Sequence, residues 1–181
     1  MKLHTLIGCF VCVLGLTTWS QAQAIPTATR SGSLQLGGGF TYVRPDFSTP
    51  IKGVTVYGDY DFTRHLGVEG DLHFANLITP ADISENTYLV GPRYRFHYHR
   101  FVPYAKALFG LGRFGYQYPS AWGHASTYTY GVYAFGGGVD VHANRHINIR
   151  AFDFEYQNWP GFHPSGLTPI VMTFGAAYTF H

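Results

Sequence analysis

Residues 135–155 read FGGGVDVHANRHINIRAFDFE, and the alternation within them decides the fold. Val139 and Val141 alternate with Asp140 and His142; beyond Ala143-Asn144-Arg145, Ile147 and Ile149 alternate with Asn148 and Arg150. A two-residue period marks strands with one apolar and one polar face, so the stretch predicts a hairpin closed by a tight turn. Residues 61–69, DFTRHLGVE, repeat the pattern in shorter form: Asp, a short gap, Arg-His, then aliphatics alternating with small or charged residues. A recurring hairpin implies a chain built from hairpins.

Working outward, period and turn residues predict eight strands. They fall near Leu34–Val43, Val54–Phe62, Leu66–Asn76, Thr87–Tyr98, Phe101–Tyr116, Thr127–His142, His146–Gln157 and Pro169–Phe180. Thr63-Arg64-His65, His99-Arg100 and Ala143-Asn144-Arg145 are tight connections. Arg44–Gly53, Leu77–Asn86, Gln117–Ser126 and Asn158–Thr168 are longer and rich in Pro, Gly and Ser. Short turns at one end, long loops at the other and an even strand number are the pattern of a bacterial outer-membrane barrel. Both termini then fall at the short-turn, periplasmic end.

The chain's start agrees with export. A positive Met1-Lys2-Leu3-His4 precedes an apolar run from Leu6 to Leu16, too short for a membrane-spanning helix. A polar stretch ending in Ala22-Gln23-Ala24 completes a secretory signal, with cleavage expected after Ala24 or Ala22. Both cysteines, Cys9 and Cys12, lie inside it, so no disulfide is expected in the mature chain. The expected organisation is a signal peptide over 1–24, a short periplasmic segment over 25–33 and one barrel over 34–181.

Composition narrows the class further. Charged residues make up 12% of the 181 residues, against roughly 25% in ordinary soluble domains. Aromatics reach 18%, there are 22 glycines, and the net charge is +2. Near-neutrality gives no reason to expect nucleic acid as a partner.

The two strand faces then settle which side is inside. One parity carries bulky groups, among them Val54, Val56, Tyr60 and Phe62; Leu66, Val68, Leu72 and Phe74; Tyr88, Val90, Tyr94 and Phe96; Tyr133, Phe135, Val139 and Val141. An eight-stranded barrel has an interior only just wide enough for side chains to fill, so this set would overfill it. The opposite parity mixes glycines with Asp59, Asp61, Glu69, Asp71 and Asp140 and with Arg93, Arg95, Lys106 and Arg150. Buried charges persist only when paired, and these nearly balance. The nine are expected to form an ionic network inside the barrel, with the bulky face in lipid. Aromatic girdles are expected from Tyr42, Tyr88, Tyr116 and Trp159 at the loop side, and from Phe62, Phe96, Tyr98, Phe101 and Phe180 at the turn side. In the seventh strand Phe152, Phe154 and Tyr156 switch parity relative to Ile147, Ile149 and Ala151. A bulge near Ala151–Phe152 is expected to restore it.

With these residues in place the chain resembles the small outer-membrane β-barrel domains, the group of the outer membrane protein A transmembrane domain and the opacity proteins. The resembling residues are Tyr94-Arg95-Phe96 with Pro103-Tyr104-Ala105, Phe135-Gly136-Gly137-Gly138-Val139-Asp140 with Arg145-His146-Ile147, and the terminal aromatic strand. The resemblance implies an all-β, eight-stranded, up-and-down transmembrane barrel. It also implies that Ile170, Met172, Phe174, Tyr178 and Phe180 form the strand read by the barrel-assembly machinery, although His181 follows the final aromatic.

Chemistry is less evident. His65, His97, His99, His142, His146 and His181 fall near the turn-side rim, but a metal site needs three or four converging ligands and the spacing demands none. His124-Ala125-Ser126 and His163-Pro164-Ser165 share the His-x-Ser spacing of outer-membrane lipid A deacylases, without an evident orienting acid. The reading is therefore a monomeric outer-membrane protein with a structural or surface-interaction role. It has no expected catalytic, cofactor or metal residue. Its expected partners are outer-membrane lipid and lipopolysaccharide, the barrel-assembly machinery, and a possible surface ligand on the loops around Ile78–Glu85, Pro119–Ser126 and Trp159–Gly166. A lipid A-modifying enzyme and a narrow channel are the alternatives.

Overall fold

The computed structural model describes residues 32–46, 49–75, 77–78, 83–116 and 127–180. The expected signal segment lies outside the described residues. Eight strands follow in chain order: β1 (Ser33–Arg44), β2 (Ile51–Asp61), β3 (Leu66–Ala75), β4 (Ile83–Arg95), β5 (Phe101–Tyr116), β6 (Thr127–His142), β7 (Ile147–Asn158) and β8 (Ile170–Phe180). Each pairs antiparallel with its sequence neighbours, and β1 pairs with β8 from Leu34↔Phe180 to Arg44↔Ile170, which closes the barrel. Closure matters energetically because it leaves no unpaired edge in a medium that cannot hydrogen-bond it.

The turns explain why the hairpin pattern recurs. In the β2–β3 turn, Thr63 Oγ1 accepts from the backbone N–H of His65 (3.3 Å) and Leu66 (2.9 Å). In the β6–β7 turn, Asn144 Oδ1 accepts from His146 and Ile147, both at 2.8 Å. Short polar side chains that satisfy the following amides pin both turns in the same way. Between β4 and β5, His99 takes φ 55°, the left-handed value a two-residue hairpin asks of its first turn residue.

The lipid-side parity is exposed all round the barrel: Leu36, Val56, Leu72, Val90, Phe109, Phe135, Ile149 and Phe174 among others. The expected irregularity in β7 is present. Pairing with β8 shifts register between Arg150 and Asp153, and pairing with β6 shifts between Val139 and Asp140. Ala151 and Phe152 both point outward, and Asp153, Glu155 and Gln157 turn inward, all buried. Two acids that regular alternation would send into lipid are thus brought to the core.

The β5–β6 hairpin is the longest element, at 16 residues per strand. Residues 127–132 of β6 pair with β5, whereas the β6–β7 pairing begins only at Tyr133↔Asn158. At about 3.3 Å per residue this hairpin rises well past the apolar band that strands of roughly ten residues span.

Candidate functional site in the barrel lumen

The lumen is filled by two layers of different chemistry. In the turn-side half, Lys106 Nζ lies among four carboxylates: Glu69 (2.8 Å), Asp71 (2.7 Å), Asp153 (2.6 Å) and Glu155 (2.8 Å). Arg150 reaches Glu69 at 3.0 Å and Asp59, Asp140 and Asp153 at 3.3 Å each. Arg93 meets Asp59 at 2.6 Å and Glu69 at 3.2 Å, and it also pairs with Asp140. Nearer the rim, Arg95 pairs with Asp61 at 2.8 Å. All nine side chains assigned to an interior network by their parity therefore have ion-pair partners. Two guanidinium groups also lie over rings, Arg93 3.8 Å from the Tyr104 centroid and Arg150 3.7 Å from that of Tyr57. Gly37 makes room for the latter, since a Cβ there would stand 2.4 Å from the Tyr57 ring.

A ladder of polar side chains climbs from this network. Thr55 Oγ1 and His73 Nδ1 share a hydrogen bond of 2.6 Å, and His73 Nε2 lies 3.2 Å from Glu155 Oε1. Gln157 Nε2 donates to Glu155 Oε2 at 3.0 Å, and Trp159 Nε1 donates to Gln157 Oε1 at 3.2 Å. Above this the lumen turns apolar. Val43, Ile51, Ile83, Leu89, Leu108, Phe114, Val132, Trp159, Leu167 and Val171 form one buried cluster, against which Tyr130 and Phe162 pack.

Two expectations need correction. Trp159 does not join the loop-side girdle; it is 0% exposed, inside the plug. The bulge resets the phase of β7, so the ring follows Asp153, Glu155 and Gln157 inward. A Cβ on Gly112 would meet it at 2.4 Å. Nor is the charge nearly balanced. Asp153 and Glu155 join Asp59, Asp61, Glu69, Asp71 and Asp140, so that among the described residues this layer's acids outnumber Arg93, Arg95, Lys106 and Arg150 by three. Such a surplus cannot stay ionised in a closed core and must be met by protons or cations. Sequence reasoning left these two acids out of the network because their inward orientation depends on the bulge.

Among the described residues, Asp71–His73–Glu155 and Glu69–Asp71–Asp153 each bring three potential metal-ligand atoms within 4.8 Å of one another. Lys106 Nζ already lies against Glu69, Asp71, Asp153 and Glu155, where a cation shared by those oxygens would sit. The rim histidines divide between two faces. His97 and His142 lie on the inward parity, whereas His65 and His146 are exposed and stack on Tyr94 and Tyr178. His181 and the pair His124/Ser126 lie outside the described residues. His163 and Ser165 are both exposed in the loop before β8.

A closed antiparallel barrel that turns its apolar face outward and its ions inward is an outer-membrane barrel. The family model described as outer membrane protein beta-barrel domain matches residues 9–180, and the chain belongs to that family of the bacterial outer membrane. A search of curated proteins finds no match. Among solved structures, the chain is similar to the attachment invasion locus protein Ail of Yersinia pestis, solved in complex with the heparin analogue sucrose octasulfate (18% identity, 83% of this chain and 100% of that one, TM-score 0.56). It is also similar to OprG from Pseudomonas aeruginosa (17% identity, 84% and 97% covered, TM-score 0.59) and to Neisserial surface protein A (14% identity, 82% and 97% covered, TM-score 0.58). At these identities the likeness is one of fold.

Proposed function

We propose that this protein is a closed outer-membrane scaffold whose work is done at its loop end, through surface interaction and without catalysis or transport. The observation that carries this reading is the filled lumen. An ion-paired layer and an apolar plug occupy successive halves of the interior, which supports a barrel that conducts nothing and serves to hold its loops. The β5–β6 hairpin, with exposed Tyr128 toward its loop end, is the longest element at that end. Aromatic side chains on a rigid hairpin suit recognition because little conformational entropy is lost on binding.

Lipopolysaccharide is the proposed lipid partner. Arg44, Lys52 and Arg113 are exposed near the loop-side strand ends, where cationic side chains can meet headgroup phosphates. A soluble or cell-surface ligand is proposed for the loops themselves; the sulfated sugar bound to Ail makes an anionic carbohydrate the first class to try. The deacylase alternative requires a lipid-facing catalytic pair, and His163 and Ser165 sit in an exposed loop instead.

The test is expression with residues 117–126 or 160–166 replaced by a short Gly-Ser turn, followed by binding to an array of sulfated and phosphorylated glycans. Binding lost with the barrel still folded supports the proposal, and binding retained in both replacements contradicts it. Lipid A mass spectra should be the same with and without the protein; a lost acyl chain would establish the enzyme instead.

A further inference from the structure

The turn-side mouth of the lumen holds a polar pocket of about 170 Å³ that the surface role does not use. Gln35, Arg95, His97, His142 and Arg145 line it, which gives it two fixed positive charges and two imidazoles. The side-chain amide oxygens that line it are engaged. Gln35 Oε1 accepts from Asn148 Nδ2 at 2.7 Å, and Asn148 Oδ1 lies 2.5 Å from His142 Nδ1. Asp61 Oδ2 takes Arg95 Nη1 at 2.8 Å and Ser33 Oγ at 3.0 Å.

The groups left over include buried donors. Gln35 Nε2 and Arg95 Nε are buried donors without a hydrogen-bond partner, and buried His97 Nδ1 is also unpartnered. Gln35 itself is only 3% exposed. Asp61 Oδ1 is unpartnered too, but it points toward β3, where a Cβ on Gly67 would meet it at 2.6 Å, and Asp61 does not line the pocket. Buried donors without acceptors cost free energy, and a ligand that supplies acceptors relieves it. A water takes up about 30 Å³ in the liquid, so the pocket has room for a small ion and some of its water.

We propose that this pocket binds a small free oxyanion, a carboxylate or phosphate, on Arg95, Gln35 and His97, with Arg145 and His142 adding positive charge. The lining is of inward-facing and turn residues, so the ligand comes from the aqueous phase at the turn end rather than from a lipid headgroup. The groups around His97 agree. Arg64 and His65 of the β2–β3 turn, Arg95 of β4, His142 of β6 and Arg145 of the β6–β7 turn are all basic; of the acids toward this end among the described residues, Asp61 is taken by Arg95 and Asp140 by Arg93 and Arg150. Burial first, and then Arg95 and Arg64, push His97 down to about 4. A bound anion would reverse part of that effect.

The test uses the full barrel refolded in an uncharged sugar detergent, at fixed ionic strength held by chloride. Orthophosphate and acetate are titrated in separate arms while the ring resonances of the histidines are followed by NMR. His97 and His142 should shift together and saturate with one midpoint in at least one arm, with His99 as the unresponsive reference. The His97 titration midpoint should rise by roughly one pH unit or more at saturation, the scale of a charge placed within hydrogen-bonding reach. Arg95→Gln should abolish the effect. Because that variant also breaks the Asp61 pair, exposed Arg145→Gln is the second probe and should weaken binding several-fold in a folded barrel. Shifts that grow linearly without saturation, or that Arg145→Gln leaves unchanged, overturn the proposal. So does a response to short-chain phosphatidylglycerol but to neither free anion.

Discussion

Lys106→Met isolates the element on which the turn-side half of the lumen depends. In the native barrel one ammonium lies 2.6–2.8 Å from Glu69, Asp71, Asp153 and Glu155. At such distances each contact has a gross Coulomb energy of about 6 kcal/mol at an effective dielectric constant near 20, most of it offset by desolvation and by repulsion among the four acids. The net effect of the substitution is easier to reckon as proton uptake. Without the ammonium the cheapest relief is for the folded core to hold one proton more than the native core does. At pH 7, protonating a carboxyl group whose ordinary pKa is about 4 costs about 4 kcal/mol, at 1.36 kcal/mol per pH unit. This agrees with the 3–5 kcal/mol typical of breaking a buried pair.

The same reasoning sets the pH dependence. The unfolded variant has its carboxylates ionised at pH 7 and the folded variant carries the extra proton, so the deficit falls as pH falls, to about 1.5 kcal/mol at pH 5. The assay is urea unfolding in lipid vesicles at both pH values, read by the heat-modifiable shift of the folded band on a gel. Lys106→Met with Asp71→Asn removes one of the stranded charges and should recover much of the loss. A midpoint unchanged from wild type, or a deficit equal at pH 5 and pH 7, would refute the argument.

Other perturbations probe the remaining parts. Glu85 is 3% exposed with neither carboxylate oxygen hydrogen-bonded, so Glu85→Met should raise stability by about 1–3 kcal/mol in the same assay; a fall would show that it has a partner. Trp159→Ala empties the centre of the plug and should cost about 3–5 kcal/mol. Gly112→Val should push the Trp159 ring from its seat, seen as a red-shifted and more quenchable tryptophan emission, and an unchanged spectrum would contradict the packing. His97 takes up its proton below about 4 when folded and below about 6.5 when unfolded. Its contribution to stability is therefore complete above pH 6.5 and is lost as pH falls from there toward 4. His97→Gln should flatten that part of the stability–pH curve, and an unaltered slope would remove the residue from the account.

Much of this was legible in the sequence, for a physical reason. In β2, β3 and β4 a strict two-residue period keeps Asp59, Asp61, Glu69, Asp71, Arg93 and Arg95 on one face, so their shared side can be read without coordinates. The parity break at Ala151–Phe152 was equally visible, and the register shift between Arg150 and Asp153 lies there. Its consequences were harder to follow. One extra residue reverses the face of everything after it, so Asp153 and Glu155 join Lys106, and Trp159 enters the plug instead of the girdle. The plug itself was obscured because Leu89, Leu108 and Val132 sit on the parity that elsewhere carries charge. Strands apolar on both faces lose the alternation that separates inside from outside. The division of the rim histidines depends on where each strand ends, the least certain feature of a sequence reading.

Single-channel recording in planar bilayers tests the closed lumen most directly. With the ionic layer and the Trp159 plug both in place, the refolded protein should give a flat baseline across applied voltages, interrupted at most by brief events. Long-lived openings whose conductance scales with salt concentration would mean a continuous water path past Lys106 and Trp159, and would contradict the account.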